Sequence, residues 1–121
     1  MATTKKTLSG VWRRLWSSNA ELESAELARS ARRSGCKLVE ECQLRDTVHL
    51  QGTVSVVTVY PPGSDRWFQA EMTDGSGSVL LVFMGRRVVP GISVGARIRV
   101  TGRLTLTQNR KAIYNPHYEL V

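Results

Sequence analysis

From Thr47 onward, apolar residues recur at every second position, and glycines stand inside two of the longest alternating runs. Val48, Leu50, Val54 and Val56 share one parity with Gly52 among them; Ile98, Val100, Leu104 and Leu106 share another around Gly102. A period of two is extended chain with one face buried. Glycine inside such a strand marks a bend or a close backbone approach. Val56-Val57 then breaks the alternation and Val59 resumes on the other parity. One inserted residue does this in a β-bulge, which bends a strand at a barrel corner. Both strands are therefore expected to be long, bent and suited to closing a sheet on itself.

Three further strands follow the same logic. Phe68, Ala70 and Met72 alternate with Trp67, Gln69, Glu71 and Thr73, and Asp74-Gly75-Ser76-Gly77 makes a tight turn. Val79 to Met84 is a continuous apolar run, as expected of a third strand buried on both sides. Gly85 to Gly95 holds loop punctuation and no helical pattern. After the strand containing Gly102, Thr107-Gln108-Asn109-Arg110 is a turn, and Lys111 to Leu120 supplies a fifth strand cut by Asn115-Pro116. Five antiparallel strands would leave exposed edges, which closure into a barrel removes. The OB-fold is the five-stranded barrel of this size.

Residues 1–35 read differently. Leu8, Trp12, Leu15 and Trp16 form an apolar stripe at helical spacing. A second helix is expected from Ser18, where Ser18-Asn19-Ala20-Glu21 fits a capping box. Glu21 and Glu23 lie in its first turn, Arg32 and Arg33 in its last, and Gly35 ends it. Its apolar side, Leu22, Ala25, Leu27, Ala28 and Ala31, is thin, so only light packing is expected. The expected architecture is mainly β: a helical lead over 1–35 with two N-terminal α-helices, then a five-stranded OB-fold barrel over 36–121.

The chain's 121 residues suit one domain and exclude a multi-domain enzyme, and 41% hydrophobic residues suffice for a core. Two cysteines exclude a disulfide scaffold. Val48–Tyr60 is too short and polar to span a membrane, and Trp12-Arg13-Arg14-Leu15 interrupts any signal-peptide apolar region, so a cytoplasmic protein is expected.

Arg97-Ile98-Arg99-Val100-Thr101-Gly102-Arg103-Leu104, followed by Tyr114-Asn115-Pro116-His117-Tyr118-Glu119-Leu120, resembles the last two strands of OB-folds of the tRNA-anticodon-binding type and of the wedge domain of the branched-DNA helicase RecG. Thr73–Gly77 and Leu81-Val82-Phe83 match the hairpin and third strand of that group. Leu81-Val82-Phe83-Met84-Gly85-Arg86-Arg87, Pro90-Gly91-Ile92, the Asn115–Leu120 segment and the helical lead Val11-Trp12-Arg13-Arg14-Leu15 look more closely like a family of short actinobacterial OB-fold proteins. That resemblance implies a stand-alone nucleic-acid-binding domain. The chain departs from the helicase wedge after the third strand: Met84, Gly85, Arg86 and Arg87 stand where the wedge carries aromatics, and no motor motif is present.

Oligonucleotides lie across strands two and three of an OB-fold and its loops after strands one and four. Trp67, on the outward parity of strand two beside Pro61-Pro62-Gly63, is the first candidate for stacking a base, with Tyr60 second. The net charge of +7 is unevenly placed: residues 1–35 carry +4, residues 36–74 carry −3 and residues 75–121 carry +6. Arg110 and Lys111 after strand four, Arg86 and Arg87 after strand three, and the outward ladder Arg97, Arg99 and Arg103 are the candidates for phosphate contact. Asp74-Gly75-Ser76-Gly77 lacks the Gly-Lys-Ser/Thr ending of a phosphate loop. Cys36, Cys42, His49 and His117 fit no structural zinc spacing, and the adjacent Glu40-Glu41 points its carboxylates to opposite faces in extended chain. With no nucleophile–base constellation in view, the expectation is a non-catalytic nucleic-acid-binding protein without cofactor or metal, favouring single-stranded DNA or RNA. The alternative is a protein–protein interaction OB module, self-association included, that docks through the Trp12/Trp16 helical surface.

Overall fold

The alternation that begins at Thr47 is realised, in a computed structural model describing residues 20–33 and 35–121, as six strands. They are β1 (Thr47–Thr58), β2 (Phe68–Thr73), β3 (Ser78–Phe83), β4 (Arg97–Thr107), β5 (Arg110–Tyr114) and β6 (His117–Leu120). β1 pairs antiparallel with β2, β2 with β3, β5 with β4 and β4 with β1, while β3 and β5 run parallel. These pairings close a five-stranded ring of OB type. The inward residues Leu50, Val54, Met72, Val79, Leu81, Ile98, Val100, Leu104 and Ile113 form one buried core.

Two local irregularities let the sheet close. The β1–β2 register shifts between Val54 and Val56, so the bulge falls at Ser55, whose hydroxyl donates to the Glu71 carbonyl at 3.2 Å. It comes before Val56, not after it, so Val56 is exposed and Val57 turns towards the core instead. The second device is close approach. A Cβ on Gly52 would collide with the Thr73 carbonyl, and one on Gly102 with the Ile113 side chain. Leu106, expected on the inward parity, is exposed near the end of β4, where Gln108 and Asn109 make a two-residue turn with φ of 50° and 61°.

The expected fifth strand is cut at Asn115-Pro116 into β5 and β6. Both lie along the edge of β4 opposite β1. Asn115 makes the break with φ of 51°; its N–H donates to Val82 and its side-chain carbonyl accepts from Met84 N–H, each at 2.7 Å.

The third strand is less uniformly buried than its composition implies, because Leu80 faces outward and stays half-exposed. One end of the barrel is closed by a 3-10 turn, Val39–Glu41, seated on the β2–β3 hairpin. Asp74, fully buried, accepts Val39 N–H at 2.7 Å through Oδ2 and binds Ser76 N–H, Ser76 Oγ and Gly77 N–H through Oδ1. At the other end the Gly85–Ala96 connection inserts Val89 and Ile92 into the core. Phe68, Phe83 and Tyr118 stack edge to face beside it, and Tyr118 Oη donates to the Pro90 carbonyl at 2.8 Å.

Of the two expected helices, the described residues show one, α1, over residues 20–33; the stripe of Leu8, Trp12, Leu15 and Trp16 lies outside the described residues, as does the Ser18 cap. α1 ends as its Gly35 stop implies: Cys36 N–H donates to Ala31 and Gly35 N–H to Arg32, each at 3.0 Å, the paired bonds of a Schellman motif. The helix docks lightly. Ala31 is buried with Cys36 and Leu38, Gln51 Nε2 donates to Ser30 Oγ at 3.3 Å, and the Ser24 backbone lies against Gly75 with no room for a Cβ.

Candidate nucleic-acid interface

Ring closure leaves the outward faces of β2, β3 and β5 side by side, flanked by the Tyr60–Trp67 connection and the β4–β5 turn. Between them runs an open groove of about 360 Å³. Leu80 and Val82 of β3 line it together with three aromatic side chains. Trp67 stands one residue before β2 and is 38% exposed. Tyr60 follows β1 and carries the Arg66 guanidinium 5.5 Å over its ring, a cation–π contact. Tyr114 ends β5, is 41% exposed, and shares a 2.7 Å hydrogen bond between its hydroxyl and Thr107 Oγ1. Gln69 and Gln108 add amide groups that can meet base edges.

The groove is electrically balanced. Asp65 and Arg66 both line it, and on the same sheet face Arg110 pairs with Glu71 at 2.9 Å. Arg110 is the first residue of β5, not part of a loop, and its guanidinium already has a carboxylate partner. Lys111, expected beside it as a phosphate contact, is on the inner parity: its Nζ donates to the carbonyls of Val39 at 2.8 Å and Cys42 at 3.3 Å. The alternation of β5 separates these neighbours, and Lys111 fastens the 3-10 turn to the barrel.

The uncommitted cations lie outside the lining of the groove. Arg86 and Arg87 are exposed after β3, and neither has an ion pair among the described residues. The Arg86 carbonyl accepts Phe68 N–H at 2.9 Å, which fixes Arg86 beside the residue following Trp67. Arg86 also lines a second cleft of about 540 Å³ with Met84, Asn115, His117 and Tyr118. Arg97 and Arg103 are exposed on β4. Arg99 differs: it pairs with Glu119 at 3.0 Å and donates to Gln51 Oε1 at 3.0 Å. Its Nε is buried without a partner. Arg97 and Arg99 lie on the β1–β6 side of the barrel, whereas Arg103 stands opposite Thr47 at the start of β1.

Tyr114 escaped the sequence reading, although its outward parity next to inward Ile113 was available as a signal. What the linear chain did not show was that β5 pairs in parallel with β3, setting Tyr114 opposite Val82. The four cysteine and histidine residues are scattered: Cys36 and Cys42 are buried free thiols, His49 Nδ1 shares a 3.0 Å hydrogen bond with Thr101 Oγ1, and His117 is exposed on β6. Among the described residues no group of three or more His, Cys, Asp or Glu side chains converges to hold a metal ion. Burial pushes the Cys42 thiol pKa up, and its Sγ donates to the Leu38 carbonyl at 3.3 Å. No helix among the described residues is long and apolar enough to cross a membrane.

No protein-family model matches the chain, and no curated protein matches it in sequence. Among solved structures it is similar to the p204 HINb domain, with a TM-score of 0.59 and 14% identity over 74% of this chain and 49% of that one. It is also similar to a chain of a Replication Protein A heterotrimer bound to ssDNA, with a TM-score of 0.50 and 19% identity over 69% of this chain and 63% of that one. The likeness is one of fold, and the chain spans about half of the first structure and under two thirds of the second.

Proposed function

We propose that the chain binds nucleic acid without catalysis, favouring single strands of DNA or RNA, by stacking bases in the groove between Tyr60, Trp67 and Tyr114. The observation that carries this reading is three aromatic rings lining one open groove with an apolar floor on the β2–β3–β5 face of an OB-type barrel. Each base–aromatic stack contributes about 1–3 kcal/mol and tolerates any base, because every base has a π-face. A neutral groove suits bases, while Arg86 and Arg87, exposed in the connection that follows β3, suit phosphates. Single strands are favoured because stacking within a duplex covers the base faces that the rings need. The ssDNA carried by the similar Replication Protein A structure supports the same choice of ligand. The anticodon-binding and RecG-wedge resemblance of Arg97–Leu104 and Tyr114–Leu120 points to the same class of partner.

Fluorescence anisotropy with labelled single-stranded DNA, duplex DNA and RNA tests the proposal. Trp67→Ala is expected to weaken single-strand binding by about 5- to 150-fold, the span of one stack, and duplex binding by less. Single-strand binding weaker than about 100 μM at low salt, or binding indifferent to salt, overturns it.

A further inference from the structure

Tyr114 lines two depressions. One is the aromatic groove; the other is a separate cleft of about 410 Å³ lined by Arg45, Arg103, Leu104, Thr105 and Tyr114. We infer that this second cleft is a phosphate-binding subsite, in which Arg45 and Arg103 hold the backbone of a single strand whose base stacks on Tyr114. The inference rests on the proposed function and adds to it a residue, Arg45, that lies far from the groove in sequence.

The cleft is built, not incidental. Arg45 N–H donates to the Leu104 carbonyl at 2.7 Å and Leu104 N–H donates to the Asp46 carbonyl at 2.9 Å, so the segment before β1 is pinned to β4 at one residue. Arg45 holds φ of 75°, a left-handed conformation that costs a non-glycine residue energy and persists only where surrounding bonds enforce it. Leu104 is fully buried, so Arg103 and Thr105 on either side of it face outward with Tyr114. Two guanidinium groups share this cleft, and neither has an ion pair among the described residues, unlike Arg99 and Arg110. Two like charges brought together without an acidic partner repel, and an anion between them relieves that repulsion. Guanidinium forks match phosphate oxygens, and the Thr105 hydroxyl can add a third donor. A strand lying over Tyr114 would keep its bases in the neutral groove and bring its backbone to the cationic cleft.

The test is the salt dependence of single-stranded DNA binding for wild type, the double variant Arg45→Asn/Arg103→Gln, Trp67→Ala and Arg29→Gln. Asparagine tolerates the left-handed backbone at position 45. Each lost phosphate contact lowers the slope of log K against log salt by about 0.7, so the double variant is expected to lose about 1.4. Trp67→Ala should bind more weakly at every salt concentration with the slope unchanged. Arg29 pairs with Glu26 on α1, so its loss controls for net charge. A double-variant slope equal to wild type, or an equal change per charge in Arg29→Gln, overturns the inference while leaving the stacking proposal standing. Absence of wild-type binding overturns both. Should the double variant unfold, Arg103→Gln alone, an exposed strand position, decides the matter with an expected change of about 0.7.

Discussion

Asp74 joins the two ends of a long sequence separation through a single carboxylate. It accepts one bond from Val39 N–H, 35 residues away, and three from Ser76 and Gly77 within its own turn. Because the group is fully buried, removing it strands several donors away from water. Asp74→Ala is therefore expected to cost about 3 kcal/mol or more, read from chemical denaturation. Lys111 and Arg86 make a second contrast at this scale. Lys111→Met should cost about 1–2 kcal/mol of stability by freeing the Val39 and Cys42 carbonyls, with oligonucleotide affinity kept. Arg86→Ala should do the reverse, since its exposed side chain holds no ion pair among the described residues. Cys42 adds a pH dependence. Burial raises its thiol pKa above the ordinary value of 9.0, so the unfolded chain releases the proton first as pH rises. Its contribution is complete below pH 9 and is lost as pH climbs through the raised value. Comparing Cys42→Ala with wild type between neutral and alkaline pH should show the wild type losing more stability.

At the scale of elements, α1 is held by few contacts. Its most intimate one is backbone to backbone, Ser24 against Gly75 at the tip of the β2–β3 hairpin. Gly75 also has φ of 89°, so a side chain there strains the turn and meets the Ser24 carbonyl. Gly75→Ala is expected to lift α1, seen as faster amide exchange over residues 20–33 while the core strands β1 and β4 keep their protection. The barrel withstands such a loss because its own core does not include α1 residues. The bulge at Ser55 teaches a complementary lesson. Broken alternation announced it, but its placement depended on which β1 residue found a β2 partner, and that set Val56 outward.

For the whole molecule, the net charge of +7 is less informative than its distribution after folding. Glu71 and Glu119 take up Arg110 and Arg99, the 3-10 turn takes up Lys111, and Arg45, Arg86, Arg87 and Arg103 stay exposed outside the lining of an electrically balanced aromatic groove. If Arg45, Arg86, Arg87 and Arg103 each contact a phosphate, the expected salt slope is about −2.8, and a fourfold rise in salt weakens single-strand binding about 50-fold. Anisotropy titrations at two salt concentrations measure this directly. A much shallower slope would mean that fewer of these arginines meet the strand.

What the sequence determined by itself was local. The inward faces of β2, of β1 up to Val54 and of β4 up to Leu104, the turns at Asp74–Gly77 and Gln108-Asn109, the break at Asn115-Pro116 and the stop of α1 at Gly35 all follow from side-chain period and turn chemistry, which act over a few residues. Tertiary structure decided the rest. Parallel pairing of β3 with β5 brought Tyr114 to the side of Val82, completing a groove with Tyr60 and Trp67. Lys111 found its carbonyl acceptors 72 and 69 residues away, and Arg99 found Glu119 across β4 and β6. A charge is free or committed only when its neighbours in space are known, and ring closure chooses those neighbours from distant parts of the chain.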